Sequence, residues 1–512
     1  MERQSDEDML VGTNDEPGTC RMVMNEILEL RWRALVAICL LTFGSYYVVD
    51  FPGSMGTGSG NTIEQYFRDH NMEYTQEMNQ LLYSVYSWPN TVLAFFGGLL
   101  IDKYLGIRTA ALLFTSLVVC GSLLFWVGLR FTYFPLMVGS RVILGIGSES
   151  LGVAQSSYVA RWFKNTRGVA LAFGVTISFS RVGSSFNFIF TPTIAESLGV
   201  EVATLAGVAM CGVSLLACII LVVVDLYAVR TKYIRAEPCD DEESVMKLSD
   251  VFRLPFTFWA LTFMCTFSYT AIMPFISIAR NYFQVKYDID GTQAALYISA
   301  YQLSAAIGSP VIGSIVGALG RNTLWLILSS TFIGVFHLVL LLTNIRGDLL
   351  MASLGVVYSF LVSGLWPSIP LAVEENVVGV SYGAMTSLQN IGLAVFPLVV
   401  GKILDAYTPD HNSSSIIDLA FDAELLNGNS NASADGPHPT LEGYEVAELV
   451  FIGSAGVALL ASMAVLIADK CGRGILSASA KKRGQMKDEK RESLLNHLPE
   501  EERTLVYLHR EP

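Results

Sequence analysis

Long apolar runs separated by short polar breaks fill the chain from about residue 34 to 468. They fall near 34–52, 79–101, 109–129, 134–160, 168–193 and 203–227, then 254–279, 291–319, 323–344, 349–373, 379–404 and 446–468. A bilayer core is crossed by about 20 apolar residues in a helix. In hydrocarbon, only a helix or a closed barrel satisfies its own backbone groups. The pattern therefore predicts an all-α, polytopic membrane protein of twelve spans. A polar stretch, RTKYIRAEPCDDEESVMKLSD (230–250), splits the spans into two groups of six. The expected layout is a tail (1–33), a six-helix bundle (34–229), a linker (230–253), a second bundle (254–469) and a tail (470–512). A long loop, 405–445, lies within the second bundle.

Composition excludes the soluble alternatives. Of 512 residues, 52% are hydrophobic and 15% charged, and mean hydropathy is +0.47. Soluble domains carry about 25% charged residues. The net charge of −13 includes no basic stripe of the kind that nucleic-acid binding requires. The acidic, polar start, MERQSDEDML, is not a cleaved signal peptide. Eight cysteines without a CxxC pair predict neither a disulfide scaffold nor a zinc site.

Charge placement orients the spans. With twelve spans, the side holding both termini collects 25 of the 33 Lys and Arg, and the opposite side five. The positive-inside rule then puts both termini in the cytosol. The 405–445 loop falls on the luminal side, contains no Lys or Arg, and holds acceptor sequons at Asn412 and Asn431.

Two six-span halves suit an alternating-access carrier with its site near the midplane. Each half has a glycine-rich turn before a basic residue, GLLIDKYLGIR (98–108) and GSIVGALGR (313–321). The first resembles the signature loop of the major facilitator superfamily, although Gly106 follows Asp102 by four residues rather than three. The second has Gly317 where that family usually has Asp. RVILGIG (141–147) and RWFKNTRGVALAFG (161–174) are similar to the family's fourth span and its following connection. FGSYYVVDFP (43–52), YSWPNTVLAFFGGLLID (86–102), LGIGSESLGVAQ (144–155) and SFSRVGSSFN (178–187) resemble the lysosomal dipeptide transporters of the superfamily. SGLWPSIPLAV (363–373) and YGAMTSLQNIGLA (382–394) extend that likeness to about residue 405.

The resemblance implies movement of dipeptides from lysosome lumen to cytosol, with the matching Glu and Arg on the peptide's charged ends. It also implies an accessory subunit resembling glycosylated lysosomal membrane protein. Glycans at Asn412 and Asn431 offer a way for the chain to shield itself instead. A dileucine-type sorting signal is read at Asp6, Leu10 and Val11, in preference to Leu494-Leu495, where Lys490 holds the acidic position.

Ionisable groups within spans are costly and are functional candidates by default. The first half offers Asp50, Arg141, Glu149 and Arg181; on this count the second offers only His337 and Lys402, with Glu374 and Glu375 at a span end. At 1.5 Å per residue, Glu149 and Arg181 lie about 22 and 20 Å deep, both near the midplane. They either pair with each other or each take one end of a zwitterion. A dipeptide separates its ends by about 7 Å, which fits between helices 8–10 Å apart. Arg141 is read as a gating residue with Asp102, Gly106 and Arg108, or as a structural cation on helix carbonyls. Asp50 precedes Pro52, where the first span must bend or end. His337 reads as packing.

Trp366, beside Pro367, is the expected cavity wall, and Tyr47, Tyr269 and Tyr301 are aromatic candidates. Gln155, Asn187 and Gln389 could bond a peptide backbone or join helices. No phosphate loop, HExxH or GxSxG sits in a plausible context, so no catalytic role, metal or cofactor is expected. The proton-coupled E-x-x-E-R string is missing from the first span, which favours uniport. The alternatives are a proton-coupled carrier of another small solute, and a non-transporting membrane sensor or scaffold.

Overall fold

The computed structural model describes residues 30–93, 105–163, 169–231, 253–374, 377–408, 439–472, 474–486 and 489. The chain is built from helices. The first span, α1 (Leu30–Val49), leads into two short helices, α2 (Phe51–Met55) and α3 (Ile63–Asp69). Then follow α4 (Gln76–Ser87), α5 (Ile107–Arg130), α6 (Phe134–Phe163), α7 (Val169–Leu198) and α8 (Val200–Arg230). The second half holds α9 (Phe256–Tyr287), α10 (Gly291–Leu319), α11 (Asn322–Leu342), α12 (Gly347–Leu365), α13 (Val378–Ala406) and α14 (Leu441–Cys471). Among the described residues ten helices are long and apolar enough to cross a membrane. With α4 and α7 in second and fifth place, the twelve-span pattern of the sequence is met. Most helices overrun their apolar runs by a few residues, because helical bonding continues past the hydrocarbon into the polar layer.

Two apolar cores form, one from residues of α1 to α8 and one almost wholly from α9 to α14. The halves meet through α7 on α10, α4 on α13 and α9 on α2. Asp102, the 409–438 part of the long loop with Asn412 and Asn431, and Asp6, Leu10 and Val11 lie outside the described residues, as does most of the linker.

The count of ionisable groups needs correcting. Asp225 is fully buried in α8, where Arg108 donates to it at 2.6 Å, Trp162 donates at 3.1 Å and Arg161 lies 3.5 Å away. Glu448 in α14 is also buried, with its carboxylate 2.7 Å from His337 Nδ1. Both carboxylates sit toward the ends of long spans, and the sequence count omitted them. Arg108 is thus held by Asp225, while Gly106 caps α5 with φ +68, a conformation that favours glycine.

One end of the molecule is fastened by charge-to-backbone contacts between the halves. The carboxylate of Asp405, near the end of α13, accepts from the Gln76 and Glu77 amides at 2.8 Å each. Those amides open α4 and have no partner within their own helix, and the helix dipole favours an anion there. Thr75 takes the next amide, Met78, at 3.2 Å. Removing the acceptor with Asp405→Ala is expected to cost about 1–2 kcal/mol, the usual loss for a deleted cap, and Asp405→Asn much less. Thermal unfolding of the two variants in detergent checks this ranking.

Candidate functional site

The site begins with a broken helix. Pro52 has no amide hydrogen, so the Val48 carbonyl loses its helical partner. The Gly53 amide bonds Asp50 instead of Val49. Arg141 of α6, fully buried, donates Nη1 to Val48 O at 3.1 Å and Nη2 to Val49 O. Its Nε reaches Leu82 O of α4 at 3.1 Å. The guanidinium also lies 5.8–5.9 Å from the ring centroids of Tyr83, Tyr86 and Phe125. Arg141 therefore ties α1, α4 and α6 together at the level where α1 ends.

Below this break lies a cavity of about 320 Å3 between the halves. Its first-half wall carries Asp50, Tyr86, Glu149, Arg181 and Ser184; its second-half wall carries Tyr269, Gln302, Tyr358, Gln389 and Asn390. Glu149 is exposed to this space, and the Tyr86 hydroxyl donates to it at 3.4 Å. Arg181 turns to the other half. It donates Nη1 to Gln302 Oε1 at 3.4 Å and Nη2 to the Tyr358 hydroxyl, and its Cζ stands 4.6 Å from the Tyr358 ring centroid. No salt bridge joins Glu149 to Arg181 among the described residues. The cavity thus presents a carboxylate and a guanidinium that do not neutralise each other, with Asp50 as a second carboxylate.

Five of the sequence candidates, Asp50, Glu149, Arg181, Tyr269 and Gln389, line the cavity. Trp366 stands one bond behind the wall, donating Nε1 to the Tyr269 hydroxyl at 3.4 Å and stacking on Tyr382. Tyr301 is buried behind Tyr358, with ring centroids 5.8 Å apart. Tyr47, Gln155 and Asn187 are spent on helix packing. The Tyr47 hydroxyl bonds Thr191 Oγ1 at 2.9 Å, Gln155 donates to Ile38 O at 2.7 Å, and Asn187 Oδ1 accepts from Thr191 at 2.6 Å. Tyr358 and Gln302, the two groups that hold Arg181, were not singled out from sequence. Only their residue types mark them, and such residues are common in spans.

The segment Gly56–Thr62, the roof, lies at the fastened end, where Thr57 donates to Gln76 Oε1 at 3.1 Å. Arg280 of α9, buried, donates to Thr57 O at 2.8 Å and Ser59 O at 3.1 Å. Gln284 donates to Ser59 O at 3.3 Å. From its own half, the roof is held by the Glu64 carboxylate of α3, which accepts from the Gly58 amide at 3.2 Å and pairs with Arg68 at 2.9 Å. Burial pushes the Glu64 carboxyl up to about 7, against the pull of the Gly58 amide and Arg68.

Comparison with known proteins bears on this arrangement. The family profile described as Major Facilitator Superfamily matches residues 34–397. The chain is 31% identical over 470 residues to the lysosomal dipeptide transporter MFSD1 of Homo sapiens, covering 90% of this chain and 91% of that protein. The Danio rerio protein of the same name is 34% identical over 391 residues, covering 74% and 82%. Among solved structures, the nucleoside transporter NupG superposes with a TM-score of 0.60 at 12% identity, covering 86% of this chain and 99% of NupG. That likeness concerns the fold alone.

The roof yields a pH prediction. Glu64 has its carboxyl raised in the closed roof relative to the ordinary 4.5. The folded state therefore binds more protons than the unfolded chain between about 4.5 and 7. Its stabilisation is full below the lower value and lost as pH rises through the upper one, with a total on the order of 3 kcal/mol. The protein should melt higher at pH 5 than at pH 8, and Glu64→Gln should remove most of that difference. Melting curves at the two pH values read it directly.

Proposed function

The chain belongs to the Major Facilitator Superfamily, and from that premise we propose that it carries dipeptides across the lysosomal membrane, from lumen to cytosol, as a uniporter. It is a multi-pass membrane transporter, and what is proposed is the cargo, the compartment and the mode. One observation carries the choice of cargo. Glu149 and Arg181 face one cavity without pairing with each other, so each can take one end of a zwitterion. The cavity, about 320 Å3, lies at the lower end of the roughly 300–1,000 Å3 usual for small-molecule sites. Its polar second-half wall, with Gln302, Gln389 and Asn390, offers donors and acceptors to a peptide bond. The relatives named as lysosomal dipeptide transporters support the same cargo and compartment.

In the cycle that follows, the ammonium end rests on Glu149 and the carboxylate on Arg181. Arg181 already bridges to Gln302 and Tyr358 of the second half, so substrate carboxylate competes with a contact between the halves. Ligand binding and the relative position of the halves are thereby linked at a single guanidinium. On this reading the roof end is luminal, and the fastened roof corresponds to a state closed to the lumen. Uniport accords with a first span that lacks the acidic string of proton-coupled peptide carriers.

The test is uptake of radiolabelled dipeptide into liposomes containing the pure protein. Glu149→Gln and Arg181→Ala should each lower transport more than tenfold, since losing one charge contact to a ligand costs about 2–5 kcal/mol. Both should elute as folded monodisperse protein. Wild-type uptake by either variant overturns the site. An imposed proton gradient should not drive dipeptide above equilibrium; accumulation that collapses with a protonophore would replace uniport by proton coupling, with Asp50 and Glu149 the carboxylates to substitute next.

A further inference from the structure

The turn between α10 and α11 is the second copy of the glycine-rich loop, and Gly317 stands there in place of an acidic residue. The fold supplies an acid to that end from elsewhere. Asp469, late in α14, accepts from the Leu476 amide at 3.0 Å and from the Ser477 amide and hydroxyl at 2.8 and 2.6 Å. This turns the chain after α14 back across the α10–α11 turn. There the Arg321 amide donates to Ala478 O at 3.0 Å, and Gly320 pairs with Ser479. The approach is close. Gly320 has φ +70, and a Cβ on it would stand 2.5 Å from the Ala480 nitrogen.

Arg483 closes this strap. It donates Nε to Ile475 O at 2.8 Å and Nη2 to Leu476 O and to Asn322 Oδ1 at 2.9 Å each. Asn322 is buried at the start of α11. Its amide donates to Ser368 Oγ at 2.9 Å and to Gly364 O at 3.3 Å. Gly364 and Ser368 flank Trp366-Pro367, where α12 gives way to a 3-10 turn (Trp366–Ser368). Pro367 and Pro370 remove amides there, so the carbonyls around the break depend on side-chain donors. Tyr382 supplies one, donating to Trp366 O at 3.0 Å. Trp366 then bonds Tyr269, whose hydroxyl is 3.3 Å from that of Tyr358, the residue on which Arg181 rests.

We infer that the strap 474–486, acting through Arg483 and Asn322, is a positioning element for the cavity: it fixes the α12 break and with it the Trp366–Tyr269–Tyr358 wall that orients Arg181. Arg483 and Asn322 touch no part of the cavity and are positioning residues, not binding ones. The contiguous hydrogen bonds supply the route, and the two-position element is the broken end of α12, whose backbone has fewer internal bonds than a regular helix. The substrate consequence rests on the dipeptide reading above; the effect on the wall does not.

The experiment uses the full-length protein in detergent and in liposomes. Amide hydrogen exchange is compared for wild type, Arg483→Gln, Asn322→Ala and Arg483→Lys. Loss of one or two hydrogen bonds should speed exchange at residues 364–373 by roughly threefold or more in the first two variants. Arg483→Lys, which keeps a donor and the charge, should recover part of the protection. Residues of α5 and α8 should exchange as in wild type. Dipeptide uptake by Arg483→Gln should show a KM raised about threefold or more, with a smaller change in maximal rate. Faster exchange confined to 474–486, with 364–373 unchanged, overturns the proposal, because the strap would then be only a tether. Faster exchange at 364–373 in a protein whose wild type moves no dipeptide upholds the strap and removes the dipeptide reading.

Discussion

A backbone carbonyl that loses its helical partner inside a membrane has no water to bond, and this constraint organises the structure. Leaving such a group unsatisfied costs several kcal/mol. Pro52 frees Val48 O, and buried Arg141 takes it together with Val49 O. The irregular segment that follows is met by Arg280 at Thr57 O and Ser59 O. The α12 break is met by Asn322 and Tyr382. Each repair comes from a different helix, so each break becomes a joint between helices. A cation suits such a joint because it gives several donors at once and is drawn to the negative end of a helix.

Charge placement in the cavity follows a different rule. Arg141 and Arg280 are spent on carbonyls, and Asp225 and Glu448 on cationic or histidine partners within their own halves. Asp50, Glu149 and Arg181 are the charges left facing the cavity. Holding a carboxylate and a guanidinium apart forgoes the attraction they would gain as a pair. A protein that only needed to join α6 to α7 would have closed that pair. Arg181 instead spans to Tyr358 and Gln302, so the cation facing the cavity is also a contact between the halves.

Much of this was legible in one sequence. Apolar run length gave all twelve spans, since hydrocarbon thickness fixes it, and Pro52 marked the break in α1 by its missing amide. Depth along α6 and α7 brought Glu149 and Arg181 to one level. The pairings were less legible. Asp405 meets Gln76 across more than 300 residues, and nothing local in either segment names the other. Glu448 and Asp225 were missed because a charge near a span end looks hydrated until the tilt and overrun of the helices are known. Gln155, Asn187 and Tyr47 carry the same groups as true cavity residues, and only the rotation of each helix separates a wall residue from packing.

The breaks and the cavity are also related in position. Asp50 follows the end of α1, Pro274 and Pro397 lie within α9 and α13 at the cavity wall, and Trp366 stands behind that wall at the end of α12. A straight helix packed along its length leaves no room between bundles, whereas a helix that bends at mid-depth opens space there and stays closed at its ends. At Pro52 and Pro370 the proline also frees a carbonyl, Val48 O and Trp366 O, and each takes its partner from a neighbouring helix, Arg141 and Tyr382. Cavity and joint therefore arise together. A substrate that shifts one wall acts on helices already linked by the repairs of their own breaks, which lets a small ligand move two bundles whose cores are otherwise separately packed.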